Sequence, residues 1–381
     1  RPVKEAFVPS YVDELIARGP FEYSQETEEL FRSAMIEAFA IHYDGSEDFR
    51  RFVNLHGYDS PKLKDDFELE ALPSIFVNVF KERDLITGSR DDVVLELTSS
   101  GTGGRKSRNF LDQTSLDRIK LIARKVYDGL DMVADDEEVN YICFSYDPHV
   151  ANDLGTAFTD DLLTSFTSVA EVFYAIRWKE ELGDFHFDVE ETMKRLDDYG
   201  QQDKPLRFLG FPAFIHRLLN LRRERGMANL NLGPSSWAMT GGGWKTHEGE
   251  AISRQEFAAR LEDEIGIPAG NVRDLFGMVE HGIPYVQCEM GRFHVPLYSY
   301  PIIRHPLTLE KQPDGETGLL QLMTPYWTSY PALSVLTSDL AKLHGPCDCG
   351  RPGKTLEIVG RGGVKKHKGC AIQAAELLRG S

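Results

Sequence analysis

No stretch of these 381 residues approaches the ~18 consecutive apolar positions that a membrane-crossing helix needs, and the N-terminus lacks a basic-then-apolar signal pattern. A membrane span is therefore not expected, and a cytoplasmic location is. Positive charge is scarce: 43 Lys and Arg against 60 Asp and Glu leave a formal charge of −17. That balance disfavours nucleic acid or an anionic membrane as partner, because both are bound by clustered cations that displace counterions. Cysteine is sparse as well. Cys143, Cys288, Cys347, Cys349 and Cys370 are an odd, scattered set, which argues against a disulfide framework and leaves metal binding or thiol chemistry. Internal repeats, low-complexity tracts and an evident flexible linker are missing too. The chain begins at Arg1, read as a trimmed start, and Arg379-Gly380-Ser381 is set aside as a vector remnant.

What is present is enough chain for two packed lobes, since one core stops growing at roughly 250–300 residues. Residues 1–90 carry apolar positions at helical spacing, for instance Phe31, Met35, Phe39 and Ile41, and read as a helical opening region. From 91 to 290, strand-like runs (Asn140 to Phe144, Ala170 to Ile176, Arg207 to Gly210) alternate with helical ones (Asp117 to Leu130, Phe214 to Arg225). Such alternation predicts a layered α/β lobe. Residues 291–359 are rich in turns and short β-like runs such as Leu319 to Leu322 and Leu356 to Val359, which predicts a smaller β-rich lobe, and 360–381 form a short terminal stub.

The apolar run Val93 to Leu97 leads straight into Thr98-Ser99-Ser100-Gly101-Thr102-Gly103-Gly104-Arg105-Lys106-Ser107. Glycines let backbone N–H groups close on anionic oxygens, hydroxyls donate to them, and a lysine neutralises the remaining charge, so the run suits a phosphate-gripping loop. A Walker loop needs four residues between Gly and Gly-Lys-Ser/Thr, a spacing not found here. A flexible glycine loop is the ordinary alternative. Further on, Trp237 to Thr240 run into Gly241-Gly242-Gly243-Trp244-Lys245, where only backbone would approach a flat ligand, or where the chain turns sharply from strand to helix. Then come Phe276-Gly277-Met278-Val279-Glu280, Thr337-Ser338-Asp339 and Gly360-Arg361. Read without context, Phe276 is core and Glu280 a solvated helix start.

In this order these motifs resemble the adenylate-forming enzymes, the superfamily of acyl- and aryl-CoA synthetases. The resemblance implies that Ser99, Ser100, Gly101, Thr102, Gly103, Gly104 and Lys106 hold the β- and γ-phosphates of ATP, and that Gly241, Gly242, Gly243, Phe276 and Gly277 border adenine. It implies that Glu280 holds magnesium, Asp339 the ribose hydroxyls, and Arg361 a phosphate. Val279 stands where the superfamily has threonine, so a hydroxyl contact must come from elsewhere. The acid pocket is expected around residues 146–158 and near Phe211, with His149 as a candidate contact. Cys288, His294, Cys347 and Cys349 supply a Cys₃His set of the kind that closes a structural zinc site, or else a reduced, unliganded cluster. A similar pattern occurs in phenylacetate-CoA-ligase-like members.

After Gly360-Arg361 the superfamily continues into a lid domain carrying a catalytic lysine, whereas only residues 362–381 follow here, with Gly362-Gly363 at the hinge. Lys365, Lys366 and Lys368 flank Cys370, and cations lower a thiol's pKa toward the nucleophilic thiolate. A short adenylating chain ending in Gly369-Cys370-Ala371 resembles the acyl-protein synthetases of bacterial luminescence. That resemblance implies ATP-dependent activation of a fatty acid, transfer to Cys370 and delivery to a partner reductase. Two other readings stay open: a CoA ligase of the phenylacetate type, with coenzyme A as acceptor, and an inactive adenylate-binding scaffold.

Overall fold

The computed structural model describes residues 10–63, 67–99, 107–147, 155–181, 183–244 and 251–362. The opening region is helical: α1 (Tyr11–Ala17), α2 (Gln25–Gly45) and α3 (Glu47–Leu55) precede a short strand β1 (Ile75–Phe76) and a short helix α4 (Val79–Glu82). Ser24 and Thr27 form a reciprocal capping box that starts α2, and Ser46 both ends α2 and caps α3. Phe31, Met35 and Phe39 are buried as the spacing predicts, but Ile41 is only half-buried. The buried stripe continues instead through His42, one helical step further round. Burial keeps that imidazole neutral, with its pKa pushed down to about 3.

Next comes the hairpin β2 (Val93–Thr98) and β3 (Arg108–Asp112), followed by α5 (Gln113–Asp128), β4 (Ala134–Tyr146), α6 (Gly155–Thr164), β5 (Thr167–Lys179) and β6 (Asp184–Phe187). The lobe continues with α7 (Val189–Gly200), β7 (Leu206–Gly210), α8 (Pro212–Glu224), β8 (Trp237–Gly241), α9 (Arg254–Ile265), β9 (Val272–Phe276) and β10 (Tyr285–Val286). Seven strands form one sheet in the order β10-β9-β8-β7-β4-β5-β6, with β9, β8, β7, β4 and β5 parallel and the outer two antiparallel. Alternation along the parallel strands feeds two cores, as a sheet covered on both faces requires. Ile142, Phe144, Phe208 and Ala238 pack with Leu196, Leu218 and Leu261, while Tyr141, Cys143, Leu209 and Met239 cluster with Ile122, Val126 and Leu163. The strand order reverses at β4, flanked by β5 on one side and β7 on the other. Ligands of open α/β sheets bind outside the carboxyl ends of strands at such a switch point. Gly210 ends β7 there with φ +123°, its backbone so close to β4 that an added Cβ would sit 2.4 Å from the Phe144 carbonyl.

Asp160 on α6 is buried beneath this face, where it accepts a hydrogen bond from Ser145 Oγ. Burial pushes its carboxyl up to about 7. A carboxyl with a folded pKa above its unfolded value binds more protons in the native state. Its stabilising contribution is therefore complete at low pH and is lost as pH rises through that folded value. Asp160→Asn keeps the acceptor but not the titration. Measured by urea unfolding, the variant is expected to gain about 2–3 kcal/mol on the parent protein between pH 5 and pH 8. Other shifted groups cancel in the comparison, so a difference independent of pH would overturn the assignment.

The second sheet holds β11 (Phe293–His294), β12 (Tyr300–Arg304), β13 (Gly318–Met323), β14 (Ser334–His344) and β15 (Thr355–Arg361), antiparallel in the order β11-β15-β14-β13-β12. The opening region is not wholly helical, because β1 adds to this sheet in parallel with the start of β14, Ile75 beside Val335. No described helix is long and apolar enough to cross a membrane.

Candidate functional site

The β2–β3 hairpin carries the predicted phosphate loop. Ser100, Gly101, Thr102, Gly103, Gly104 and Lys106 lie outside the described residues; Ser99 and Ser107 close the loop's base. Ser99 N donates to the Ser107 carbonyl, and Ser107 N donates to Ser99 Oγ, each at 3.0 Å. Ser99 thus spends its acceptor on the loop's own closure and keeps its O–H as a donor.

Gly241 ends β8, and Gly242 and Gly243 follow at φ +72° and +64°, a region that side chains disfavour. Both are exposed, leaving open backbone at the sheet's carboxyl edge. On the neighbouring strand, β9 ends at Phe276, which is half-buried and lies 6.0 Å from the Tyr285 ring. The segment from Gly277 onward forms no helix: a turn holds Glu280, only 4% exposed, with the His281 and Gly282 amides both donating to the Met278 carbonyl. A solvated helix start is thereby ruled out for Glu280. Asn109 of β3 donates from Nδ2 to the Val279 carbonyl at 2.8 Å, tying the hairpin to this turn.

Asp339 sits midway along β14 and faces Arg361 across the β14–β15 ladder, Oδ1 to Nε 3.5 Å. Burial raises the Asp339 pKa, Arg361 opposes that, and the negative charge of Glu280 adds to it. Motif residues from the two sheets thus share one electrostatic neighbourhood. The Arg361 side chain is 78% exposed and free to meet a ligand.

Two cavities accompany these groups. One, about 20 Å³, lies behind the strands among Tyr127, Tyr141, Leu163, Leu209 and Met239, too small for a chain of several carbons. The other, about 410 Å³, opens where β4 and β5 end. Tyr146, Ile176, Phe185, Phe187, Phe214 and Arg217 line it, with Tyr146 edge-on to Phe185 at 4.9 Å and Phe187 edge-on to Phe214 at 5.0 Å. Its volume falls in the range of small-molecule sites. Tyr146 falls within the 146–158 span expected around the acid pocket, whereas Phe185 and Phe187 come from an edge strand that no motif marks. His149 lies outside the described residues.

The Cys/His set converges. Cys288 follows β10, His294 lies on β11, and Cys347 and Cys349 occupy the β14–β15 turn, with all four ligand atoms within 4.8 Å of one another. Cys288 Sγ and Cys347 Sγ are 3.7 Å apart, and Cys349 Sγ is 3.2 Å from His294 Nε2. Two thiolates at 2.3 Å from one tetrahedral zinc would be about 3.8 Å apart, so the donor set and its spacing fit that ion. Burial pushes the His294 pKa down to about 4, keeping the imidazole in the neutral, ligating form. Because β10 belongs to the first sheet and β11 to the second, the cluster joins them. Cys370, with Lys365, Lys366 and Lys368, lies outside the described residues.

The sequence profile of the family described as "Acyl-protein synthetase, LuxE" matches residues 3–378. The long-chain-fatty-acid–luciferin-component ligase of Aliivibrio fischeri is 30% identical over 378 residues, 97% of this chain and 95% of that protein. Its counterpart from Vibrio harveyi is 28% identical over 372 residues, 96% and 93% of the two chains. Among solved structures, 2-hydroxyisobutyryl-CoA ligase in an open conformation with 2-HIB-AMP and CoA superposes with a TM-score of 0.67 at 14% identity, covering 90% of this chain and 76% of the ligase. That likeness establishes the adenylate-forming fold.

Proposed function

The chain belongs to the LuxE family of acyl-protein synthetases, and we propose from that membership that it joins a long-chain fatty acid to a thiol at the expense of ATP. The acid's carboxylate attacks the α-phosphorus, the bond to the β-phosphate breaks, and acyl-adenylate and pyrophosphate form. A thiolate then attacks the acyl carbon and AMP leaves. Preorganised N–H groups and cations lower the first barrier by meeting the charge on the transferring group. Lys106 and the backbone of residues 99–104 hold the β- and γ-phosphates, Asp339 the ribose, and Arg361 a phosphate. The glycines at 241–243 and Phe276 border the adenine. Magnesium, when bound, would supply positive charge that offsets the charge of the phosphates. The buried Glu280 carboxylate is the hard oxygen ligand suited to it. The acyl chain occupies the aromatic cleft beside Tyr146 and Phe214, at the switch point. Zinc in the Cys288, His294, Cys347 and Cys349 cluster would be structural, since four protein ligands leave no position for a reacting water.

Cys370 is the acceptor thiol, and the acyl group passes from it to a partner reductase. The observation that carries this reading is the family match over 3–378, which spans the phosphate-loop hairpin, Glu280, Asp339 and the stub with Cys370. Intact-mass spectrometry after incubation with Mg²⁺-ATP and saturated acids of rising chain length, without CoA and with parallel pyrophosphate detection, tests it. A gain of one acyl group, removed by hydroxylamine, is expected. Pyrophosphate without a mass gain would move the acceptor to CoA or a carrier protein, and neither signal would leave a nucleotide-binding scaffold.

A further inference from the structure

Around the Glu280 turn the interior is unusually rich in polar atoms without partners. Among the described residues, eleven buried side-chain polar atoms have no hydrogen bond, and six belong to Ser107, Asn109, His281, Tyr326, Trp327 and Tyr330. Asn109 reaches the turn at Val279, Tyr326 and Trp327 pack against Gly282, and Trp327 lies edge-on to Tyr330 at 5.3 Å. The Tyr326 hydroxyl lies so close to Gly282 that an added Cβ would be 2.0 Å from it, with Trp327 beside it. Burial pushes the Tyr330 pKa well above its ordinary value, and the charge of Glu280 adds to that rise. Asn109, 1% exposed, donates to Val279, the residue just before Glu280. Buried polar groups are nearly always paired, so a cluster of orphans beside a binding loop marks a place where something polar belongs.

The chemistry of the Asn109 amide narrows what that is. Its Nδ2 is committed to the Val279 carbonyl, which fixes which end is nitrogen and leaves Oδ1 as a pure acceptor. Fully ionised triphosphate oxygens, the form that a bound cation favours, have no proton to donate and cannot satisfy it. Water bound to a cation can, and magnesium keeps several waters when it binds nucleotide. The Ser107 hydroxyl, fully buried two residues before Asn109, can accept from such a water or donate to phosphate. Val279 brings no hydroxyl to this wall, so the polar contact comes from across the hairpin.

We propose that Asn109 is a positioning residue for the divalent cation that accompanies ATP: its N–H holds the Glu280 turn against β3, and its Oδ1, with Ser107 Oγ, receives the cation's water shell. This rests on the adenylating function proposed above. The test is ATP binding by calorimetric titration without acid, in Mg²⁺ and in EDTA, on the full chain, with thermal unfolding alongside. In Asn109→Leu, the factor by which Mg²⁺ tightens ATP is expected to fall about tenfold, with affinity in EDTA within twofold of the parent. Adding Val279→Thr to that variant should restore part of the Mg²⁺ effect. Ser107→Ala should lose about threefold and serves as the test if the leucine variant does not fold. An unchanged Mg²⁺ factor in the variants, with only a lower melting temperature, would reduce the orphans to a buried structural water and overturn the proposal. Mg²⁺-independent ATP binding by the parent protein, or none, would overturn the adenylating reading together with it.

Discussion

Replacing Cys370 with serine is expected to leave acid-dependent pyrophosphate release within about twofold of the parent protein while covalent acylation falls by at least 100-fold. The reason is the difference between the two nucleophiles. Lys365, Lys366 and Lys368 precede Cys370 in the sequence, and cations near a thiol favour the nucleophilic thiolate, whereas a serine hydroxyl ionises far less readily and is the weaker nucleophile. The other four thiols are poorly suited to the task. Cys143 is fully buried between strand and helix, and burial pushes its pKa well above the ordinary value. Cys288, Cys347 and Cys349 face one another and His294 at ligand distances. Intact-mass spectrometry and a pyrophosphate assay on the same sample read both halves of the reaction, and undiminished acylation of the serine variant would remove Cys370 from the mechanism.

Cys347→Ser is expected to cost the protein its zinc, from about one ion per chain to a small fraction of that, and to lower the melting temperature by about 10 °C. A structural zinc contributes several kcal/mol because its ligands are assembled only in the folded chain. At the few degrees per kcal/mol typical of larger domains, the loss is large. It falls at a junction, since Cys288 follows a strand of the first sheet while Cys347 and Cys349 terminate a strand pair of the second. Elemental analysis and thermal unfolding check the outcome. A parent protein free of zinc, with the variant melting at the same temperature, would leave the four side chains as a reduced cluster.

Much of this architecture is legible in the chain because local patterns have local causes. Strand runs such as Asn140 to Phe144 alternate side chains between two cores, and Glu280 and Asp339 lie in short motifs whose spacing survives in isolation. What is not legible depends on partners distant in sequence. His42 takes the inner face that Ile41 was expected to fill, because the stripe drifts round the helix and the imidazole finds Thr87 Oγ1 at 2.9 Å. Asn109 reads as an ordinary polar position on a short strand; only the fold brings Val279 to its amide. The aromatic cleft is hidden for the same reason, since Phe185 and Phe187 sit on an antiparallel edge strand, while the β1–β14 pairing leaves only two residues of signal.

One consequence of those distant partnerships concerns synthesis. The Asn109–Val279 bond closes over 170 residues, the hydrogen bonds of Asp112 with Thr328 over 216, and β1 waits for residue 335 before it has a neighbour. A ribosome that has released the parallel strands has delivered a sheet with two faces to cover, but no enclosure around the loop at its edge. Contacts of such long range come late in folding. On a nascent chain, Asp339 therefore joins the neighbourhood of Glu280 only after β14 has been made and has paired with β1.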